Sequence, residues 1–305
     1  MKPTYLYLLI LLISLTFIGY SQTAKEYFNR GVEKLGLDNY NGAIADFTKA
    51  IEINPKYGDA YCGRGASKGR LDDYSGAMAD YNKSIEIDPN NGDAYYWRGR
   101  EKTNLEDYRG AIADFTKAIE IDPNNGDAYW GRGVARVKLE DHKDGIVDFT
   151  KAIEINPKDR DAYYSRGVAK GRLKDYRGAI ADYDKVIEIN PKSGDTYFIR
   201  GFAKLGLDDY RGAIADYDKV IEINPKSGDA YYGRGVAKGR LKDYRGAIAD
   251  YDKAIEINPK KGNAYYSRGL AKFNLGQKES ACMDFSKSIE LGYSKANDEI
   301  KKYCQ

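Results

Sequence analysis

The chain has 305 residues, with 49 Lys and Arg against 46 Asp and Glu for a net charge of +3, and it carries 28 Tyr and 32 Gly but only 9 Phe and 2 Trp. Charge so nearly balanced excludes the electrostatic footprint of a nucleic-acid binder. One histidine, His142, and three cysteines without a C-x-x-C spacing exclude a His/Cys metal cluster and leave only carboxylate sites open.

The first segment differs from everything after it. Lys2 precedes an apolar run from Tyr5 to Ile18, and Gly19-Tyr20-Ser21 places small residues three apart before Gln22. Residues 1–21 therefore read as a secretory signal peptide cut after Ser21, which puts the mature chain in the periplasm or outside the cell. The alternative is an uncleaved anchor extended by the flanking tyrosines, and membrane association is expected only in that case.

From residue 24 onward one motif recurs. Pro55, Pro89, Pro123, Pro157, Pro191, Pro225 and Pro259 are each 34 residues apart, and each follows an Ile-Glu-Ile-Asn/Asp segment. That period cuts the chain into eight units, 24–57, 58–91, 92–125, 126–159, 160–193, 194–227, 228–261 and 262–295, with a tail at 296–305. Each unit predicts two helices. In the fifth, Tyr163, Arg166, Gly167 and Lys170 share one helical face and Tyr164, Val168 and Gly171 a neighbouring one. Asp175 sits at the N-cap of a second helix whose inner face is Ala179, Tyr183, Val186 and Ile187, and Asn190-Pro191 ends it. A glycine column (Gly31, Gly65, Gly167 and equivalents) and an alanine column (Ala43, Ala77, Ala179 and equivalents) are expected to face each other and set the interhelix distance. The fourth unit departs, with Gly145 for the alanine and His142 for a tyrosine, and local loosening is expected there. The tail, with Ile300 and Tyr303 on one side, predicts a C-terminal capping helix over 296–305.

The order Tyr, Gly, Tyr, Ala, Phe/Tyr, Ala and Pro within each unit resembles the tetratricopeptide repeat over residues 24–295. The resemblance implies an all-α fold, a right-handed α-solenoid of eight helix-turn-helix repeats with a concave groove lined by the first helices. It departs where the family has a leucine before the glycine, since this chain has an arginine column that includes Arg30, Arg166 and Arg268. The Glu-Leu-Gly ending and the Lys-Lys-Tyr-Cys tail are similar to envelope-associated repeat proteins of bacteria.

The arginine column has a counterpart in Asp46, Asp182, Asp284 and their equivalents, level with it across an antiparallel hairpin, so a repeated Arg-Asp ladder is expected in preference to an anion-binding stripe. Asp182, Lys185 and Glu188 alternate on what reads as a solvated outward face. Phe28, Tyr96, Trp130, Tyr164, Phe198, Tyr232 and Tyr266 form an aromatic row broken by Cys62, and Arg70, Arg100, Lys138, Arg172 and Arg240 lie one or two turns further on. Rings beside arginines have the composition of binding hot spots, so this groove is the candidate partner site; the competing reading is that the rings pack on the adjacent helix.

The expected partner is a segment of another protein or peptide, extended or helical and with acidic character, bound by a scaffold in a cell-envelope or extracellular assembly. No cofactor or metal is expected, and no catalytic residue, because the only imidazole stands where other units have tyrosine. Single-stranded RNA binding is the alternative, since aromatics and arginines on helical repeats stack bases, but the weak charge and the leader oppose it. The sequence does not address oligomeric state. Cys282 and Cys304 lie equally far from the turn at Gly292, so an antiparallel hairpin brings them level to form a disulfide, with two free thiols on different faces as the open alternative.

Overall fold

The computed structural model describes residues 23–304, and the expected leader lies outside them. Among the described residues there are seventeen helices and no strand. The described residues divide into two compact units, 23–139 and 140–304, with the boundary inside the fourth repeat. The first unit contains α1 (Ala24–Gly36), α2 (Tyr40–Ile53), α3 (Gly58–Gly69), α4 (Tyr74–Ile87), α5 (Gly92–Asn104), α6 (Tyr108–Ile121) and α7 (Gly126–Lys138). The second contains α8 (His142–Ile155), α9 (Arg160–Arg172), α10 (Tyr176–Ile189), α11 (Gly194–Gly206), α12 (Tyr210–Ile223), α13 (Gly228–Arg240), α14 (Tyr244–Ile257), α15 (Gly262–Asn274), α16 (Lys278–Glu290) and α17 (Ala296–Tyr303). In each unit the two helices of a repeat pack on each other and on the next repeat, and first helices of successive repeats also touch, as α11 with α13 and α13 with α15.

The short polar residues before each second helix act as its start signal. The side chains of Asn39, Asp73, Asp107, Asp141, Asp175, Asp209 and Asp243 each accept a hydrogen bond from a backbone amide three residues on, 3.1 Å at Gly42 and 2.9 Å at Gly178. The eighth repeat has Gln277 there and no side-chain cap. The turn before these caps requires a left-handed residue. Lys174 has φ 62°, and the Asp175 amide returns to the Lys170 carbonyl at 2.9 Å, which closes the end of α9. Only the eighth repeat supplies glycine, Gly276 at φ 77°, for this conformation.

In each unit the core is built on buried rings of the second helices, Phe47, Tyr81 and Phe115 in the first and Phe149, Tyr183, Tyr217, Tyr251 and Phe285 in the second. The glycines meet these rings first and the alanine column second: a Cβ on Gly65 would stand 2.8 Å from the Tyr81 ring and 3.2 Å from the Ala77 carbonyl oxygen. A Cβ on Gly167 would stand 2.6 Å from the Tyr183 ring, and one on Gly235 would stand 2.7 Å from the Tyr251 ring. Other glycines receive the ring of the preceding repeat, as Gly233 does for Tyr217 at 2.6 Å. Phe47, Tyr81, Phe115, Tyr183, Tyr217, Tyr251 and Phe285 are thus each met by helix backbone that carries no side chain, while the alanines stay fully buried beside them.

At the C-terminal edge α17 packs on the last repeat. Ile300 and Tyr303 lie on the cluster built around Phe285, and the Tyr303 ring is 4.0 Å from that of Phe273. Cys282 and Cys304 are joined there as a disulfide with Cα atoms 5.8 Å apart, and Cys62 is a buried free thiol.

The ring clamp makes a contrasting pair of substitutions informative. Gly167→Ala is expected to lower stability by about 1–3 kcal/mol through overpacking. Gly171→Ala, whose Cβ would meet nothing nearer than the Tyr183 hydroxyl at 3.9 Å, is expected to leave stability unchanged or raise it by up to about 1 kcal/mol. Urea midpoints of the two variants check this.

Candidate functional site

The arginine column is occupied by structure. Arg166 donates to both oxygens of Asp182 at 2.7 and 3.0 Å, and Lys170 reaches the same carboxylate at 2.8 Å. The remaining guanidinium nitrogen donates to Thr150 of the preceding repeat at 3.0 Å, and the group stacks over Tyr163 at 5.6 Å. The same pairing joins Arg30 to Asp46, Arg64 to Asp80, Arg98 to Asp114, Arg200 to Asp216, Arg234 to Asp250 and Arg268 to Asp284. The carboxylate is buried, so Asp182 does not belong to the outward face expected for it; that face holds Lys185 and Glu188, paired at 2.7 Å. Hydrogen bonding from Arg30 holds the Asp46 carboxyl below the ordinary carboxylate range against the opposing effect of burial, and Lys34 adds to the lowering.

The aromatic row lies half-buried, each ring leaning on the core. Phe28 is 5.7 Å from Phe47, Tyr96 6.0 Å from Phe115, Tyr164 6.2 Å from Tyr183, Phe198 5.6 Å from Tyr217 and Tyr232 5.8 Å from Tyr251. Packing and partial exposure therefore coexist in the same side chains. Burial raises the pKa of Tyr96, Tyr164 and Tyr232, so their hydroxyls remain protonated donors at neutral pH. Tyr266 has Tyr293 5.2 Å away and donates its hydroxyl to Glu299 at 3.3 Å. Where Cys62 interrupts the row, Trp97 of the next repeat packs on the same cluster.

Open clefts lie between successive repeats of the second unit. One of about 530 Å³ gathers Tyr232, Arg240, Tyr244, Tyr251, Tyr266 and Tyr293. A second, of about 340 Å³, is lined by Val168, Arg172, Tyr176, Tyr183, Ile199 and Phe202. Among the described residues neither Arg172 nor Arg240 has an acidic partner. Arg100 in the first unit is stacked on Trp97 at 4.8 Å. Arg70 and Lys138 stand at or beside the ends of α3 and α7, as Arg172 and Arg240 do at the ends of α9 and α13.

The opposite end of the first helices is acidic. A cleft of about 480 Å³ holds Asp195 and Asp229 around Phe198. Asp229 pairs with Lys261, whose ammonium stands 4.7 Å over the Tyr232 ring. The face thus runs from aspartates, across aromatics, to arginines. Sequence reasoning missed Ile199, Tyr293 and Phe202, the last 59% exposed; an aromatic residue two turns into a first helix, where the other repeats have Val, Ala, Leu or Arg, was the available signal for Phe202. Among the described residues no group of three or more His, Cys, Asp or Glu is placed to hold a metal ion, and no helix is long and apolar enough to cross a membrane.

Paired helices recurring every 34 residues, with rings and charges presented on the first of each pair, define an all-α helical-repeat interaction scaffold. Tetratricopeptide repeat profiles match residues 24–57, 92–125, 126–159, 161–193, 194–227 and 228–261, and further repeat profiles match 67–103 and 250–283. The chain belongs to the tetratricopeptide repeat family, a solenoid fold whose members bind peptides or proteins and are typically non-catalytic. Among solved structures it is similar to YrrB, a TPR protein with an unusual peptide-binding site, at 28% identity and TM-score 0.55 over 60% of this chain and 95% of that one. It is also similar to the C-terminal part of a TPR repeat-containing protein from Cytophaga hutchinsonii, at 20% identity and TM-score 0.65 over 79% of this chain and 98% of that one. A tetratricopeptide repeat protein from Parabacteroides merdae matches at 21% identity and TM-score 0.57, covering 81% and 99% of the two chains. A comparison with curated proteins gives no match.

Removing one carboxylate of the ladder tests its weight. Asp182→Asn leaves Arg166 and Lys170 without their counter-charge and is expected to cost about 3 kcal/mol, whereas Lys185→Ala on the exposed pair costs no more than about 0.5 kcal/mol; urea titrations separate the two. The depressed Asp46 pKa contributes stability that is present above the unfolded carboxylate value of about 4 and is lost as pH falls through the folded value. Asp46→Asn should accordingly flatten the acid limb of the pH–stability profile.

Proposed function

We propose that the chain is a non-catalytic scaffold of a cell-envelope or extracellular assembly, which receives a segment of a partner protein along the aromatic face of its first helices. The observation that carries this is the pair of open clefts in the second unit, where half-buried rings sit beside arginines that have no internal counter-charge. Rings already packed on the core are held in place before a partner arrives, so little side-chain entropy is lost on binding. Unpaired guanidiniums beside them favour a partner with acidic groups. The peptide-binding site of YrrB lies on the same repeat type and supports a peptide as occupant.

Export rests on the leader-like first 21 residues together with the Cys282–Cys304 pairing, since disulfides persist in oxidising compartments. Thiol titration of the unfolded, unreduced protein purified from its native compartment is expected to give one free thiol, from Cys62; three would reject the oxidised state. For the binding face, crosslinked pull-down from envelope extracts is expected to lose its prey in a Phe198→Ala, Tyr232→Ala double variant that retains wild-type helicity. Unchanged prey would exclude the aromatic face.

A further inference from the structure

The two arginine clefts are the same niche, used twice. Gly171 and Tyr183 stand in one where Gly239 and Tyr251 stand in the other, and a Cβ on either glycine would lie 3.9 or 3.8 Å from the neighbouring tyrosine hydroxyl. Arg172 and Arg240 flank them, and Ala203 and Ala271 come from the following repeats to line the far walls. The junction between these two lacks the arginine, because Gly206 takes its position and the Tyr176 ring lies against it, 2.7 Å from where its Cβ would be.

The first unit shows what such a niche accommodates. Between the second and third repeats Gly69 and Tyr81 hold the equivalent places, with Arg70 next to Gly69, but the residue matching Ala203 and Ala271 is Glu101. Glu101 is buried at 6% exposure, and its Oε1 lies 2.5 Å from where a Gly69 Cβ would stand. A carboxylate of the chain itself therefore stands against Gly69 in the first unit's niche, where it accepts from the Asn104 side-chain amide at 3.2 Å while the Tyr81 hydroxyl makes no hydrogen bond. In the second unit the niche is lined by alanine and remains open beside an unpaired arginine.

We infer that the two open niches each take a carboxylate of one extended acidic segment of a partner protein, in the place that Glu101 fills internally. This rests on the binding face proposed above and adds chemistry and spacing to it. Packed helices lie about 8–10 Å apart, so first helices two repeats apart stand about 16–20 Å from each other. Extended chain advances about 3.3 Å per residue, which places the two acidic residues about five or six positions apart. The apolar wall of Val168, Ile199 and Phe202 in one cleft and of Val236 and Leu270 in the other calls for an apolar residue next to each acid.

The test uses the full chain and fluorescein-labelled ten-residue Thr/Pro-based peptides carrying two Glu-Leu pairs, read by anisotropy. A peptide with its glutamates five or six positions apart is expected to bind at least about tenfold tighter than its Gln analogue and than a version with the glutamates two apart, the scale of one lost charge-assisted contact. Arg172→Gln and Arg240→Gln should each abolish that advantage. So should Ala271→Glu, which copies the internal plug and keeps native helicity by the precedent of Glu101. Equal affinity for the Glu and Gln peptides, or an advantage untouched by both arginine variants, overturns the inference. If peptides then still bind and the Phe198→Ala, Tyr232→Ala variant loses them, the aromatic face stands without the paired niches; if that variant also keeps its prey, both readings fall.

Discussion

A buried carboxylate that must be fully paired governs how this chain folds. Asp182 and its equivalents lie inside the hairpin, where an unmatched charge costs several kcal/mol in desolvation. In seven of the eight repeats the carboxylate is met by one arginine and one lysine from the first helix, spaced one turn apart on the same face, and the fourth repeat carries Arg136 in the lysine position. The arginine cannot move without exposing that debt, and its third nitrogen is thereby aimed at the preceding repeat. A single side chain thus closes its own hairpin and ties it to the neighbour. The tyrosine under the guanidinium completes the arrangement, with Arg200 5.4 Å over Tyr197 as one instance.

The backward contact changes character along the chain. Arg64 and Arg166 donate to Thr48 and Thr150, and Arg98 to Asn82, all neutral acceptors. Arg200, Arg234 and Arg268 instead meet Asp184, Asp218 and Asp252, so each bridges two carboxylates. The second carboxylate is about half exposed, which keeps that bridge open to screening by salt. Because this inner column of arginines is engaged within the fold, the proposed binding mode relies instead on Arg172 and Arg240 at the helix ends, which have no acidic partner among the described residues.

The sequence revealed most of what repeats and little of what passes between repeats. The proline period, the aspartate caps and the Arg-Asp register are spacings within one hairpin, and the helix geometry converts them directly into neighbours. Lys170, on the same helical face as Arg166, joins Asp182 by that geometry too. The reach of Arg166 to Thr150, the setting of Gly233 against the Tyr217 ring of the preceding repeat, and the burial of Glu101 all depend on how one hairpin settles on the next. Spacing along a chain does not specify that settling. The aromatic row was visible as a row, but the clefts beside it need Ile199 and Phe202 from the following repeat, and no single 34-residue unit contains them.

The helix folded over the last repeat has a consequence for crowding. In a stack of near-identical hairpins the trailing surface of any copy matches the leading surface of any other, the geometry from which head-to-tail fibres grow. Here Tyr303 lies on Phe273, and a covalent sulfur link ties the tail to α16. Eight residues of helix and one crosslink thus cover the trailing surface of the last hairpin, so that hairpin does not present the face on which a further copy would stack.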